Sequence, residues 1–330
     1  MTSPAPAATI VIPAYEAGES VRAALGSALA QTLTDIEVLV VDDGSSIDPV
    51  PQDLTEDPRV VVDRRPRNTG YAGVTNHANA RARGRWIFYL DADDLVEPDA
   101  LELLVAAGEE YDADAVWCPQ MCVREGTEIG LLEWDPPGAV SDAREALRRV
   151  VGHQLVGSQH ILLRNPASDA PEGVTYSDLV FVMRHLARSE RVAYVGRPLY
   201  RYTIHPRSAT GALSPSVWEL AELPQLVRPI LEDAFVPAEA RELSELMQLH
   251  NLTHMLHKAS REPAATPLRA EVTAWCRRRI TARRLLALLR AREWSTAVSW
   301  VLVKLSPALH RAAYRSYDRL KSHGLRLAGR

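Results

Sequence analysis

The chain has 330 residues, 46% hydrophobic and 24% charged, with three cysteines and a net charge of −4. That length suits one large α/β domain with a helical extension, or two domains, of ordinary globular composition. Cys118, Cys122 and Cys276 form no zinc-ligand pattern, and their odd number argues against a disulfide framework, so a reducing, cytoplasmic setting is expected. Residues 1–8 read as a flexible tail without the basic and apolar regions of a signal peptide. No run approaches the roughly 18 to 20 apolar residues of a membrane span.

In chain order, Thr9-Ile10-Val11-Ile12 is a short strand stopped by Pro13. After the loop 14–18, Ser20 is placed as the N-cap of a helix from Val21 to about Gln31. Ile36–Val41 is a buried strand that ends in the turn Asp42-Asp43-Gly44-Ser45-Ser46. Val60–Val62 is a third strand, and Asn68-Thr69-Gly70 leads into a small-residue helix over Ala72–Ala82. Trp86–Leu90, a continuous apolar run between Gly84 and a group of acids, reads as a central strand. A helix over Pro98–Tyr111, a strand at Ala115–Cys118, a hairpin turning at Glu125-Gly126 and a helix over Ser141–Val151 follow. Then come strands at His160–Arg164 and Val192–Val195, separated by a helix over Tyr176–Ser189, and a strand-like stretch from Leu199. From about Ser214 the pattern is helical, with breaks near Pro237, Pro263 to Pro267, and Pro307. Alternating strands and helices predict a mostly parallel sheet with helices on both faces.

Two strands end in acids, Asp42-Asp43 and Asp91-Ala92-Asp93-Asp94. If those strands are parallel, both groups lie at the carboxyl edge of the sheet, where ligands of open α/β sheets bind. Carboxylates crowded there call for a hard divalent cation such as Mg²⁺ or Mn²⁺. The alternative is an acidic helix N-terminus opened by Glu97-Pro98-Asp99. No glycine-rich phosphate loop follows the first strand, so a bound diphosphate would be held by metal and side chains.

Over Thr9–Thr210 the chain resembles the family 2 glycosyltransferases of the GT-A fold. Four blocks carry the resemblance in the family's order: Thr9 to Glu16; Ile36 to Ser45, ending in Val-Asp-Asp-Gly-Ser; Asn68-Thr69-Gly70 with Asn76 and Gly84; and Asp91-Ala92-Asp93-Asp94, similar to the DxD metal motif. The resemblance implies a metal-dependent, inverting transfer of a sugar from a nucleoside-diphosphate sugar, UDP first, to a hydroxyl acceptor of a cell-wall, polysaccharide, lipid-linked or secondary-metabolite kind. It implies that Pro13, Ala14, Tyr15 and Glu16 line the nucleoside pocket and that Asp43 bonds the base. Asn68, Gly70, Asn76 and Ala92 complete the donor site. Asp91 approaches ribose and diphosphate, and Asp93 ligates Mn²⁺ or Mg²⁺ with Asp91 and His205. Tyr176-Ser177-Asp178 falls where the family has a Glu-Asp pair, which makes Asp178 the general base. Tyr200 to Ser208 resembles a further family segment, in which Arg207 meets the leaving group. The chain departs from the pattern at Ser177, in place of Glu, and at Val74-Thr75-Asn76, in place of Ala-Arg-Asn.

The implied organisation is a GT-A catalytic domain over 9–212, divided into a nucleotide-sugar half (9–119) and an acceptor half (120–212), then a helical region over 213–330. Two other readings are a sugar-nucleotide nucleotidyltransferase, which would want a glycine-rich basic loop where Pro13–Gly18 stands, and a catalytically silent nucleotide-sugar binder. From Arg277 to Arg330 there are 14 Lys and Arg against Glu293 and Asp318. Such a segment suits packing on the domain or on a second copy of the chain, binding of an acidic polymer, or peripheral contact with an anionic membrane at its inner face. No nucleic-acid-binding motif is present.

Overall fold

A computed structural model describes residues 5–132, 138–153, 157–204, 213–262, 265–290 and 292–316. The chain divides into two compact units, Met1–Thr203 and Ile204–Arg330.

The first unit begins β1 (Ala8–Ala14), α1 (Val21–Leu29), β2 (Ile36–Asp42), β3 (Val60–Arg64), α2 (Gly70–Asn79) and β4 (Trp86–Tyr89). It continues with β5 (Leu95–Val96), α3 (Ala100–Glu110), β6 (Ala115–Trp117), β7 (Gln120–Arg124), β8 (Thr127–Leu132), β9 (Val140–Asp142) and α4 (Ala143–His153). It closes with β10 (Ile161–Arg164), α5 (Ser177–Arg188), β11 (Arg191–Tyr194) and β12 (Tyr200–Thr203). The main sheet has the order β3-β2-β1-β4-β10-β6-β11-β9, and a small sheet runs β5-β12-β7-β8. Strands β3, β2, β1 and β4 are all parallel, with Ala8 opposite both Ile36 and Trp86. This register brings the Asp42 and Asp91 ends to the same edge. The hairpin turns at Glu125-Gly126, both with positive φ.

Three local expectations need correction. The strand containing Leu162 is antiparallel to both β4 and β6, so the sheet is mixed at its middle. His160 is not part of it: with φ +58 it lies in the left-handed region just before β10. Ser20 does not cap α1, because a 3₁₀ turn over Gly18–Ser20 runs straight into that helix. Ser20 already has helical angles, and its hydroxyl donates back to Ala17 O.

The core sits on both sides of the central strands. Trp86, Ile87, Phe88, Tyr89 and Leu90 are all 0% exposed, and burial of side chains of this size contributes about 1.5–3 kcal/mol each. Ile10, Ile12 and Phe88 pack with Leu25 of α1 and Leu101 and Leu104 of α3. Tyr89 meets Phe181 of α5 edge-on at 5.6 Å, and α5 also contacts α2. At the opposite end of the strands a buried acid is satisfied locally. Glu37 accepts from Thr9 Oγ1, from Arg83 N and from Arg83 Nε, each at 2.6 Å. Arg83 is thereby engaged on a buried carboxylate.

The second unit contains α6 (Glu219–Ala234), α7 (Pro237–Arg261), α8 (Pro267–Arg279), α9 (Ala282–Arg290) and α10 (Trp294–Leu305), followed by helical residues 307–316. Pro237 and Pro267 start their helices at a position where the missing N–H costs nothing. Trp300 of α10 is fully buried and donates to Thr253 of α7 at 2.9 Å. Among the described residues, no helix is long and apolar enough to cross a membrane.

Candidate active site

The site starts where β4 ends. Asp91 is partly buried, Asp93 exposed and Asp94 buried, and one oxygen of each lies within 4.8 Å of the others. Burial first, then the charges of Asp94 and Asp93, hold the Asp91 carboxyl well above its ordinary range. Asp94 is pushed up to about 6, mainly by burial. Three hard oxygen donors at this spacing, with the Asp93 charge opposing the ionisation of Asp91 and Asp94, match the chemistry of a Mg²⁺ or Mn²⁺ site.

Neighbouring elements hold this turn from two sides. On one side, Gln159 Nε2 donates to Asp91 Oδ2 at 2.8 Å. On the other, the Tyr200 hydroxyl of β12 accepts from the Asp91 N–H at 3.1 Å and donates to Asp94 Oδ2 at 2.7 Å. Thr203 N–H donates to Asp94 Oδ1 at 2.6 Å. Asp94 is therefore the internal brace of the turn, with both oxygens engaged. Asp93 is the acid that faces solvent.

Asp178 is the second residue of α5 and is partly buried. Burial raises its carboxyl to about 6. Its Oδ1 accepts from the adjacent Leu179 N–H at 2.8 Å, and α5 has no side-chain N-cap. Asp178 belongs to the same electrostatic neighbourhood as the acid turn: its charge raises the carboxyl of Asp91, and both acids raise the phenol of Tyr71. Tyr71, on the first turn of α2, bonds Ser158 Oγ.

The residues expected to line a nucleoside pocket lie at the β1 and β2 ends. Pro13 is partly buried, Ala14 is buried, and Tyr15 is 54% exposed. Glu16 has φ +48, and its carboxylate accepts from the N–H groups of Ser46, Ile47 and Asp48. These bonds hold its carboxyl below the usual range. Asp43 is 2% exposed and accepts from Thr69 N–H, Thr69 Oγ1 and Gly70 N–H. Asn68 Oδ1 also accepts from Gly70 N–H, at 2.9 Å. Asn76 is turned elsewhere: its amide accepts from Ala170 N–H and donates to Ala170 O. Three polar residues expected on the donor are thus cross-braces between loops. Gly44 shows why the Asp-Asp-Gly turn needs glycine. Its φ is +73, and a Cβ there would lie 2.5 Å from the Arg67 backbone.

Ala92 is partly buried between the acids. His205 and Arg207 lie outside the described residues. At both departures from the family pattern, Thr75 Oγ1 and Ser177 Oγ are buried without a hydrogen-bond partner among the described residues. Gln159, Tyr200 and Tyr71 are the site residues that sequence reasoning gave no role. Only Tyr200 carried a signal, as the first residue of a family segment.

Residues 9–149 match the profile of "Glycosyl transferase family 2". The matched stretch, 141 of the 330 residues, is similar to that family. The matched stretch holds the parallel strands β1 to β4 and the aspartate turn, while β10 and Asp178 lie beyond it. The chain is 40% identical over 114 residues to the succinoglycan biosynthesis protein ExoO of Rhizobium meliloti (strain 1021), covering 33% of each chain. The chain thus spans about a third of the length of that relative. Its fold is similar to residues 1–349 of S. aureus TarS, solved in complex with UDP-GlcNAc, with a TM-score of 0.60 and 16% identity over 91% of this chain and 90% of that one. It is also similar to the mannosyltransferase PcManGT from Pyrobaculum calidifontis, solved with GDP-Man and Mn²⁺, with a TM-score of 0.53 and 15% identity, covering 95% of this chain and 88% of the other. The fold is GT-A, with a helical C-terminal region.

Proposed function

We propose that the chain is a metal-dependent, inverting glycosyltransferase that moves a sugar from a UDP-sugar to a hydroxyl group of a growing polysaccharide. The observation that carries this reading is the cluster of Asp91, Asp93 and Asp94 at the end of β4, with Asp178 on the first turn of α5, the helix whose Phe181 packs on Tyr89 of that strand. A transfer of this kind needs an anionic leaving group held on one side of the sugar and a base for the acceptor on the other.

Asp93 and Asp91, with His205, would hold Mn²⁺ or Mg²⁺. The cation would supply charge neutralisation to the diphosphate as it leaves, and Arg207 would add to it. The nucleoside lies against Pro13, Ala14 and the exposed ring of Tyr15. Asp43 and Glu16 hold the walls of that pocket through the Thr69-Gly70 and Ser46–Asp48 backbones, with Asn68 and Gly70 at the rim. Asn76 acts from behind, through the 170 segment. Asp178 takes the proton of the acceptor hydroxyl, whose oxygen bonds the anomeric carbon while the bond to the diphosphate oxygen breaks. The products are the glycoside with inverted configuration and a nucleoside diphosphate. The nucleotidyltransferase alternative has no support in the family match, and the intact acids speak against a silent binder.

The test is release of nucleoside diphosphate from UDP-GlcNAc, UDP-Glc and GDP-Man in the presence of Mn²⁺ and a polysaccharide acceptor panel. Release from one donor is expected, abolished in Asp93→Ala and Asp178→Asn. Undiminished release in both variants would overturn the mechanism.

A further inference from the structure

The basic helices of the second unit carry an exposed apolar surface that the chemistry above does not use. In α10, Ala297, Trp300 and Val303 face inward and are buried. Trp294, Val298, Val301 and Leu305 are exposed by 61%, 60%, 44% and 73%. Their spacing of four, three and four residues places them in one row along the helix. Leu286 and Leu289 of α9 and Leu309 beyond α10 are also exposed. Seven of the fourteen exposed large apolar side chains among the described residues thus fall between 286 and 309. A concentration of that kind marks an interaction surface, whereas scattered exposed apolar residues need no explanation.

The charges nearby say what covers it. Some of the basic residues are spent internally. Arg279 stacks on Trp275, Arg283 pairs with Glu245, and Arg284 donates to Gln248. Arg278, Arg290, Arg292 and Lys304 are exposed and have no ion-pair partner among the described residues. From Arg277 to Ser316 the sole acid is Glu293. A second copy docked face to face through this row would set arginines against arginines. An anionic lipid surface instead attracts each cation by about 1 kcal/mol and accepts the apolar row, with a tryptophan at its end suited to the interfacial region.

We propose that α9 and α10 form a peripheral docking surface for an anionic phospholipid bilayer, with Trp294, Val298, Val301 and Leu305 inserted and Arg278, Arg290, Arg292 and Lys304 at the headgroups. The surface sets where the enzyme works and makes no contribution to the chemical step.

Flotation of the full chain with vesicles tests this, using phosphatidylcholine alone and phosphatidylcholine with about one-third phosphatidylglycerol. Binding to the anionic vesicles only is expected, weakening with salt. The double variant Val301→Glu/Leu305→Glu alters solvent-exposed positions and should keep the native melting temperature while losing about tenfold or more in vesicle affinity. Arg290→Glu/Arg292→Glu should lose affinity for anionic vesicles too. No binding at low salt, or equal binding by the native chain and both double variants, overturns the proposal. So does a native dimer in sedimentation velocity that the apolar double variant dissociates. Asp178→Asn should float like the native chain, so failure here is distinguishable from failure of the catalytic reading.

Discussion

Asp178 carries the sharpest residue-scale expectation. A carboxyl raised to about 6 by burial is ionised at neutral pH and still a useful proton acceptor. Transfer should therefore fall as pH drops through about 6, since the protonated acid cannot take the acceptor's proton. Asp178→Asn should lower turnover by about 10²–10⁴-fold, the usual worth of general-base catalysis, and leave donor affinity nearly unchanged. Initial rates between pH 5 and 8, with donor binding measured separately by calorimetry, check both. Gly84 makes a different point. A Cβ there would lie 2.3 Å from Thr9 N and 2.5 Å from Ala8 C, both backbone atoms that cannot move aside. Gly84→Ala should cost about 1–3 kcal/mol of stability, as overpacking does, and should loosen the Thr9–Glu37–Arg83 cluster. Urea unfolding reads it directly, and an unchanged midpoint would contradict the packing argument.

At the scale of elements, the active edge is held by contacts between pieces that are far apart in the chain. Strand β12 reaches back to the end of β4 through the Tyr200 hydroxyl, and the segment before β10 reaches it through Gln159. Supports behind metal ligands typically matter by about 10–100-fold in metal affinity. Tyr200→Phe removes the bond to Asp94 and the acceptor for Asp91 N–H while keeping the ring that packs near Phe88. It should weaken Mn²⁺ binding, followed by titration of the paramagnetic ion, more than it lowers the melting temperature. The opposite order of effects would make Tyr200 a packing residue alone. The same cross-bracing explains Glu16 and Asp43, whose oxygens order the loops of the proposed nucleoside pocket.

For the whole molecule, the acid edge is a cost that folding imposes. Asp94 and Asp178 are raised to about 6 and Asp91 well above its ordinary range. Across pH 4 to 6 the folded protein therefore binds more protons at these groups than the unfolded chain does. Their contribution to stability is full below the ordinary carboxylate range and is lost as pH rises through about 6. In chelator the melting temperature should fall between pH 5 and 7, and Mn²⁺ should restore it most at the upper end, because a ligand of the folded state stabilises it. A melting temperature that rises across that interval in chelator, or that ignores Mn²⁺ at pH 7, would contradict this account.

What could be read from the sequence and what could not divides along the range of the contacts. The apolar run 86–90, the Asp-Asp-Gly turn, the hairpin at Glu125-Gly126 and the acid turn are written in neighbouring residues, because strand burial and turn chemistry have short periods. They were enough to show the resemblance to the family 2 glycosyltransferases and to foresee a mostly parallel sheet with its acids on one edge. Tertiary structure decided the rest. It set β10 antiparallel between β4 and β6, which no local pattern encodes. It tied Glu16, Asp43 and Asn76 to neighbouring loops as braces, since a polar side chain bonds whatever partner the fold brings to it. It put Gln159 on Asp91 and Tyr200 between Asp91 and Asp94, contacts that span 68, 109 and 106 positions. It also left one row of α10 bare while burying the other, a choice set by packing against α7 that the repeat of apolar residues alone could not make.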